Sequence, residues 1–169
     1  MKYLLVLLCC IMLGGCAASM TTAEDVEKKS TVSEDTYKKE RWIYGPEYPE
    51  RDPFSASMEK SRLRALIKDG KVAFYQLYHD HHSRDWYFLD SATDSSGKAL
   101  NFLKIDSTVG YGGVTHETVA VTFSRQYLDA AAAGTGLDIK IDGKRYFVVV
   151  KMPPFYVQGF LKKVDTLGK

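Results

Sequence analysis

The chain has 169 residues, 45% of them hydrophobic, and a formal net charge of +2 from 23 Lys and Arg against 21 Asp and Glu. That near-balance argues against a nucleic-acid binder, whose electrostatic footprint is a basic stripe. The length accommodates one hydrophobic core and not two once the polar leading segments are set aside.

Met1 and Lys2 form a short basic head, Tyr3 to Leu13 is an uncharged apolar run, and Gly14, Gly15 and Cys16 follow. A basic head, an apolar stretch and a small-residue exit make the pattern of a secretory signal. The run is too short to span a bilayer, which takes about 20 apolar residues in a helix. Polar Ser19, Thr21 and Thr22 come soon after it.

The tetrad Leu13-Gly14-Gly15-Cys16 resembles the lipobox of bacterial lipoproteins. The resemblance covers only the start of the chain. It implies cleavage between Gly15 and Cys16, which removes residues 1–15. It also implies a diacylglycerol thioether on Cys16 and an acylated amine, with palmitate among the acyl chains. Each buried acyl CH₂ contributes about 0.8 kcal/mol, and two or more chains anchor stably. Ala17, rather than Asp, is similar to the pattern that enterobacterial-type lipoproteins carry to the outer membrane, where the protein is expected to face the periplasm. Cys9 and Cys10 leave with the signal, so no free thiol remains. Disulfides, thiolate catalysis and cysteine zinc sites are thereby excluded for the mature chain.

Residues 16–53 are expected to hold the lipidated N-terminus, a tether and a strap. From residue 17 to 41 the only large apolar residues singled out are Val26, Val32 and Tyr37. Such a segment buries too little surface to offset its chain entropy. As a flexible coil it spans about 25–30 Å root mean square. The stretch RWIYGPEYPERDPF, 41–54, then sets Trp42, Tyr44, Tyr48 and Phe54 among three prolines. It reads as an extended strap against the domain, or as a stiff docking segment for a partner.

Residues 54–169 read as a single domain. Asp52-Pro53 offers a cap and a first-turn proline, and Met58, Leu63, Leu66 and Ile67 partly follow helical spacing, which predicts a helix over 55–68. Strands are predicted over 71–79, 85–92, 99–106 and 115–123, with turn chemistry at 93–98 and a loop at 110–113. Ser124 caps a helix stopped by Gly134. Residues 137–142 alternate as a strand, and Asp142-Gly143 signals a two-residue hairpin. Residues 144–152, apolar on both faces, read as an interior strand. Pro153 and Pro154 open a last helix with the stripe Tyr156, Val157, Phe160, Leu161 and Val164. Gly159 weakens that helix by about 1 kcal/mol and allows close packing on the sheet. The short connections exclude parallel crossovers. The expected fold class is α+β: an antiparallel sheet of about six strands with two or three helices on one face.

The stretch YHDHHSRD, 78–85, holds three of the four histidines. His79 and His81, two apart in extended chain, point the same way, a spacing that zinc sites on strands use. Asp80, Asp85 or His116 could complete a ligand shell. The competing reading is a hairpin tip with exposed histidines. Ser124 lacks the small flanking residues of a nucleophile elbow. VGYGGV, 109–114, fits neither a P-loop nor a dinucleotide motif. His116 and Glu117 point to opposite faces of their strand. No cofactor is expected.

Together these features point to a membrane-anchored envelope lipoprotein carrying a non-catalytic binding or accessory module, with an envelope protein as partner and no nucleic acid. The alternative is an envelope hydrolase or metal-binding protein working through the His79/His81 region. Beyond the lipobox, the domain is similar only to uncharacterised proteobacterial lipoproteins, a resemblance that carries no activity.

Overall fold

The computed structural model describes residues 20–48 and 59–168. The signal, Cys16 and Phe54 lie outside them. In chain order the elements are α1 (Ala23–Lys29), β1 (Thr31–Asp35), β2 (Glu40–Tyr44), β3 (Lys60–Lys68), β4 (Lys71–Ser83), β5 (Leu89–Asp94) and β6 (Asn101–Val109). Then follow β7 (Thr115–Phe123), α2 (Arg125–Ala133), β8 (Leu137–Gly143), β9 (Phe147–Met152) and α3 (Pro154–Leu167).

The fold is α+β. One antiparallel sheet has the order β1-β2-β3-β4-β7-β6, and a second has the order β5-β8-β9. The α+β class and a six-stranded antiparallel sheet are as expected from the sequence, and a three-stranded sheet is added to it. Leu63, Leu77, Val119 and Val121 of the larger sheet share one core with Ile139, Ile141, Val148 and Val150 of the smaller, and with Tyr156, Val157, Phe160 and Val164 of α3.

The segment KSRLRALIK is strand β3, not the C-terminal part of a helix over 55–68. Ser61, Leu63, Ala65 and Ile67 are buried, while Arg62 and Arg64 on the other face are half-buried. A period of two places alternate side chains on opposite faces of a sheet, and this pattern outweighs the partial helical spacing. The hairpin between β8 and β9 turns through 144–146, with the Gly143 N–H donating to the Tyr146 carbonyl at 2.9 Å, rather than through Asp142-Gly143 alone. Strand β9 is an edge strand, not an interior one. Val148, Val150 and Met152 face the core, while Phe147 and Val149 face outward at 59% and 44% exposure.

The tether expected over 17–41 is folded from residue 20 onward. Thr22 caps α1: its hydroxyl accepts the Asp25 N–H at 3.2 Å, and the Asp25 carboxylate accepts the Thr22 N–H at 3.1 Å. This reciprocal box satisfies two otherwise unpaired donors at the helix start. A helix this short is marginal alone and depends on packing. Val26 is fully buried and Met20 nearly so. Gly159 makes the packing possible, since a Cβ there would lie 2.2 Å from the Ala23 carbonyl oxygen. The close approach allowed by Gly159 is therefore helix on helix, α3 on α1, not helix on sheet. Lys162 of α3 adds contacts to Glu27 at 2.7 Å and Glu24 at 3.7 Å. Strand β2 then buries Ile43. The domain placed at 54–169 thus begins by Met20.

Candidate functional site

Strand β4 runs without a break through the histidine-rich segment, so the expected hairpin tip is a strand inside the larger sheet. His79 and His81 continue the inward series of Tyr75 and Leu77. They are 1% and 2% exposed, which corrects the reading of exposed loop histidines. His79 Nδ1 lies 2.9 Å from Ser61 Oγ on β3, and His81 Nδ1 lies 3.2 Å from Glu59 Oε1. The two rings stack at 5.9 Å, and Tyr87 covers His81 at 4.0 Å. Burial pulls His79 down to about 4, against the opposing pull of Glu59, so this ring is neutral at pH 7. The His81 ring beside Glu59 holds its carboxyl below the usual range, burial opposing.

His116 is not part of this cluster. It pairs with His82 across β4 and β7, on the opposite face, with ring centroids 4.0 Å apart. Asp80 joins this outer pair, its Oδ2 3.0 Å from His82 Nε2 and its Oδ1 accepting the Thr118 hydroxyl at 3.0 Å. The candidate ligands His79, His81 and His116 are therefore divided by the sheet itself. Among the described residues, no group of three or more His, Cys, Asp or Glu is arranged to hold a metal ion.

Asp85 lies in the loop after β4, and the loop as a whole is fastened by Glu117, a residue read from sequence only for facing away from His116. Glu117, fully buried on the inner face of β7, accepts the N–H of Tyr87 at 2.7 Å and of Leu89 at 3.0 Å. Between those donors Phe88 sits at φ 56°, a left-handed conformation unusual for an aromatic residue. The strand predicted over 85–92 accordingly starts only at Leu89. Ser124 caps α2 as its position implies, its Oγ accepting the Tyr127 N–H at 3.1 Å.

The outer face of the larger sheet carries a different constellation. Trp42 and Tyr44 of β2 stack at 5.9 Å. On β3, the Arg62 guanidinium lies 4.9 Å from the Tyr44 ring and 5.5 Å from the Tyr78 ring of β4. Arg64 lies 4.9 Å from Trp42 and 4.5 Å from Tyr78, and donates twice to Gln76 Oε1, at 3.0 and 2.8 Å. Burial among these groups lowers Arg64 from its ordinary value. Among the described residues neither arginine has a carboxylate partner, unlike Lys60 with Glu47 and Lys68 with Glu40. A recess of about 130 Å³ opens beside Arg62, lined also by Glu47, Lys60, Tyr78 and Asp80. The strap is thus divided. Trp42 and Tyr44 belong to the sheet, Tyr48 packs on Tyr156 at 5.3 Å, and Phe54 lies outside the described residues.

The chain matches no protein-family model, no curated protein and no solved structure. Among the described residues no helix is long and apolar enough to cross a membrane.

Proposed function

We propose that this protein is a bacterial envelope lipoprotein, anchored through Cys16 in the outer membrane and facing the periplasm, whose domain binds an acidic segment of another envelope protein. The carrying observation is the pair Arg62 and Arg64, held between aromatic rings on an open sheet face with no carboxylate of their own among the described residues. A guanidinium stacked on a ring keeps its planar fork of N–H donors, which matches a carboxylate. The lipobox tetrad supports the anchor, and Ala17 supports outer-membrane sorting. The competing reading, a hydrolase or metal-binding protein using His79 and His81, needs rings that reach solvent, and both are buried, with Tyr87 over His81.

The test uses full-length protein in intact cells. Labelled palmitate is expected in the wild type and absent from Cys16→Ser. A photocrosslinker replacing Tyr44 is expected to give a discrete adduct that disappears in Arg62→Glu, Arg64→Glu, while one replacing the exposed Leu103 on the edge strand gives none. An adduct indifferent to the two arginines overturns the binding surface, and unchanged membrane sedimentation of Cys16→Ser overturns the anchor.

A further inference from the structure

The greatest distance between Cys16 and Met20, the first described residue, is set by covalent geometry. Only residues 17–19 separate Cys16 from Met20. Met20 is 6% exposed, Thr22 caps α1, and Val26 is fully buried against α3. Four Cα-to-Cα steps of extended chain cover at most about 14 Å. A flexible stalk of the length read from composition alone does not exist.

We infer that the domain rests directly on the membrane, with the start of α1 and the adjoining surface of α3 around Lys162 against the lipid headgroups. This rests on the reading of Cys16 as the lipid-bearing residue. The occupant of that surface is the bilayer itself, because a lipidated Cys16 cannot draw further away from Met20 than the intervening chain allows. α3 is brought to the same place by contact: Gly159 packs on Ala23, and Lys162 pairs with Glu24 and Glu27. The functional consequence is a limit on partners. The module reaches only proteins embedded in the same membrane or lying on its surface, and cannot bridge to a structure across the periplasm.

The mature lipidated chain has no free thiol, so Lys162→Cys, at a side chain 53% exposed, takes a single fluorophore. The labelled full-length protein is placed in vesicles of phosphatidylethanolamine and phosphatidylglycerol containing headgroup-spin-labelled lipid. A matched variant carries a Gly/Ser insertion of about 20 residues after Ala18, which adds about 25 Å root mean square. Mass spectrometry of the N-terminal peptide reports the lipid independently. The expected result is a lipid-bearing Cys16 with quenching several-fold stronger than in the insertion variant. Lipid on Cys16 with equal quenching in the two proteins overturns the membrane-seated domain and leaves the anchor standing. A Cys16 without lipid overturns both.

Discussion

Glu117 holds Tyr87 in place from across the chain: its Oε2 accepts the Tyr87 backbone N–H at 2.7 Å while its Oε1 takes that of Leu89 at 3.0 Å. The two bonds bracket Phe88, fix its left-handed backbone, and lay the Tyr87 ring over His81. In Glu117→Gln one acceptor becomes an amide donor facing a backbone donor, so one buried N–H loses its partner. An unsatisfied buried group costs about 1–3 kcal/mol. The urea midpoint should fall accordingly, with faster hydrogen exchange confined to the amides of Tyr87 and Leu89. Unchanged exchange at those two amides would show that the carboxylate does not hold the loop.

His79 makes stability depend on pH in a defined direction. Its native value is about 4, set first by burial, against an ordinary value of 6.5 in the unfolded chain. Below pH 6.5 the unfolded state binds a proton that the native state refuses. Its contribution is therefore complete above that pH and declines as the pH falls toward 4. Linkage sets the slope near 1.4 kcal/mol per pH unit within that window, or about 3 kcal/mol in total. The lowered Glu59 adds a further loss only as its own carboxyl takes up a proton at lower pH. Urea midpoints measured at intervals from pH 7.5 to about 4 should slope for the wild type. They should flatten for His79→Gln, and a parallel slope in that variant would remove His79 as the cause.

Locally encoded features were legible in the sequence, and those decided by distant partners were not. Ser124 as a cap, Gly134 as a stop and the α3 stripe depend on neighbours within a turn or two, and all three are present. The N-terminal segment misleads because its burial rests on Met20, Val26 and Ile43, while Val32 and Tyr37 stay exposed. The spacing Thr22-x-x-Asp25 was its one local signal, a capping box with Asp in place of Glu. The polar stretch YHDHHSRD imitates a turn, yet it contains neither Gly nor Pro, and His79 and His81 keep the alternation begun by Tyr75 and Leu77. What no spacing could disclose is that β7 would set His116 on the other face, or that Glu117 would reach the backbone at Tyr87.

Gly159 places two general effects in opposition. Alanine is the better helix former by about 1 kcal/mol. A Cβ at 159 would nevertheless meet the Ala23 carbonyl oxygen at 2.2 Å and the Val26 Cβ at 2.7 Å. The oxygen belongs to backbone and cannot rotate away, and overpacking of this kind costs about 1–3 kcal/mol. Gly159→Ala should therefore destabilise the protein, and α1 should become the first site of proteolysis. A raised melting temperature would mean that α1 shifts freely on α3, which would also weaken the case for a membrane-seated domain.

Arg64 and Arg62 differ in a way that lysine can expose. Arg64 places its guanidinium beside Trp42 and Tyr78 while Nε and Nη2 both donate to Gln76. Gln76 in turn donates to Thr122 Oγ1 at 3.2 Å, so the fork ties β3 through β4 to β7. Lysine keeps the charge and loses both the planar stack and the paired donors. Cation–π contacts at such half-open sites contribute about 0.5–1 kcal/mol each. Arg64→Lys should lower stability by about 1 kcal/mol. Arg62→Lys, which among the described residues gives up ring contacts alone, should lower it less. Both should reduce crosslinking to the acidic partner, because the carboxylate fork is lost in each. If Arg62→Lys crosslinks as the wild type does, charge without planarity is enough and the stacked geometry serves the sheet rather than recognition.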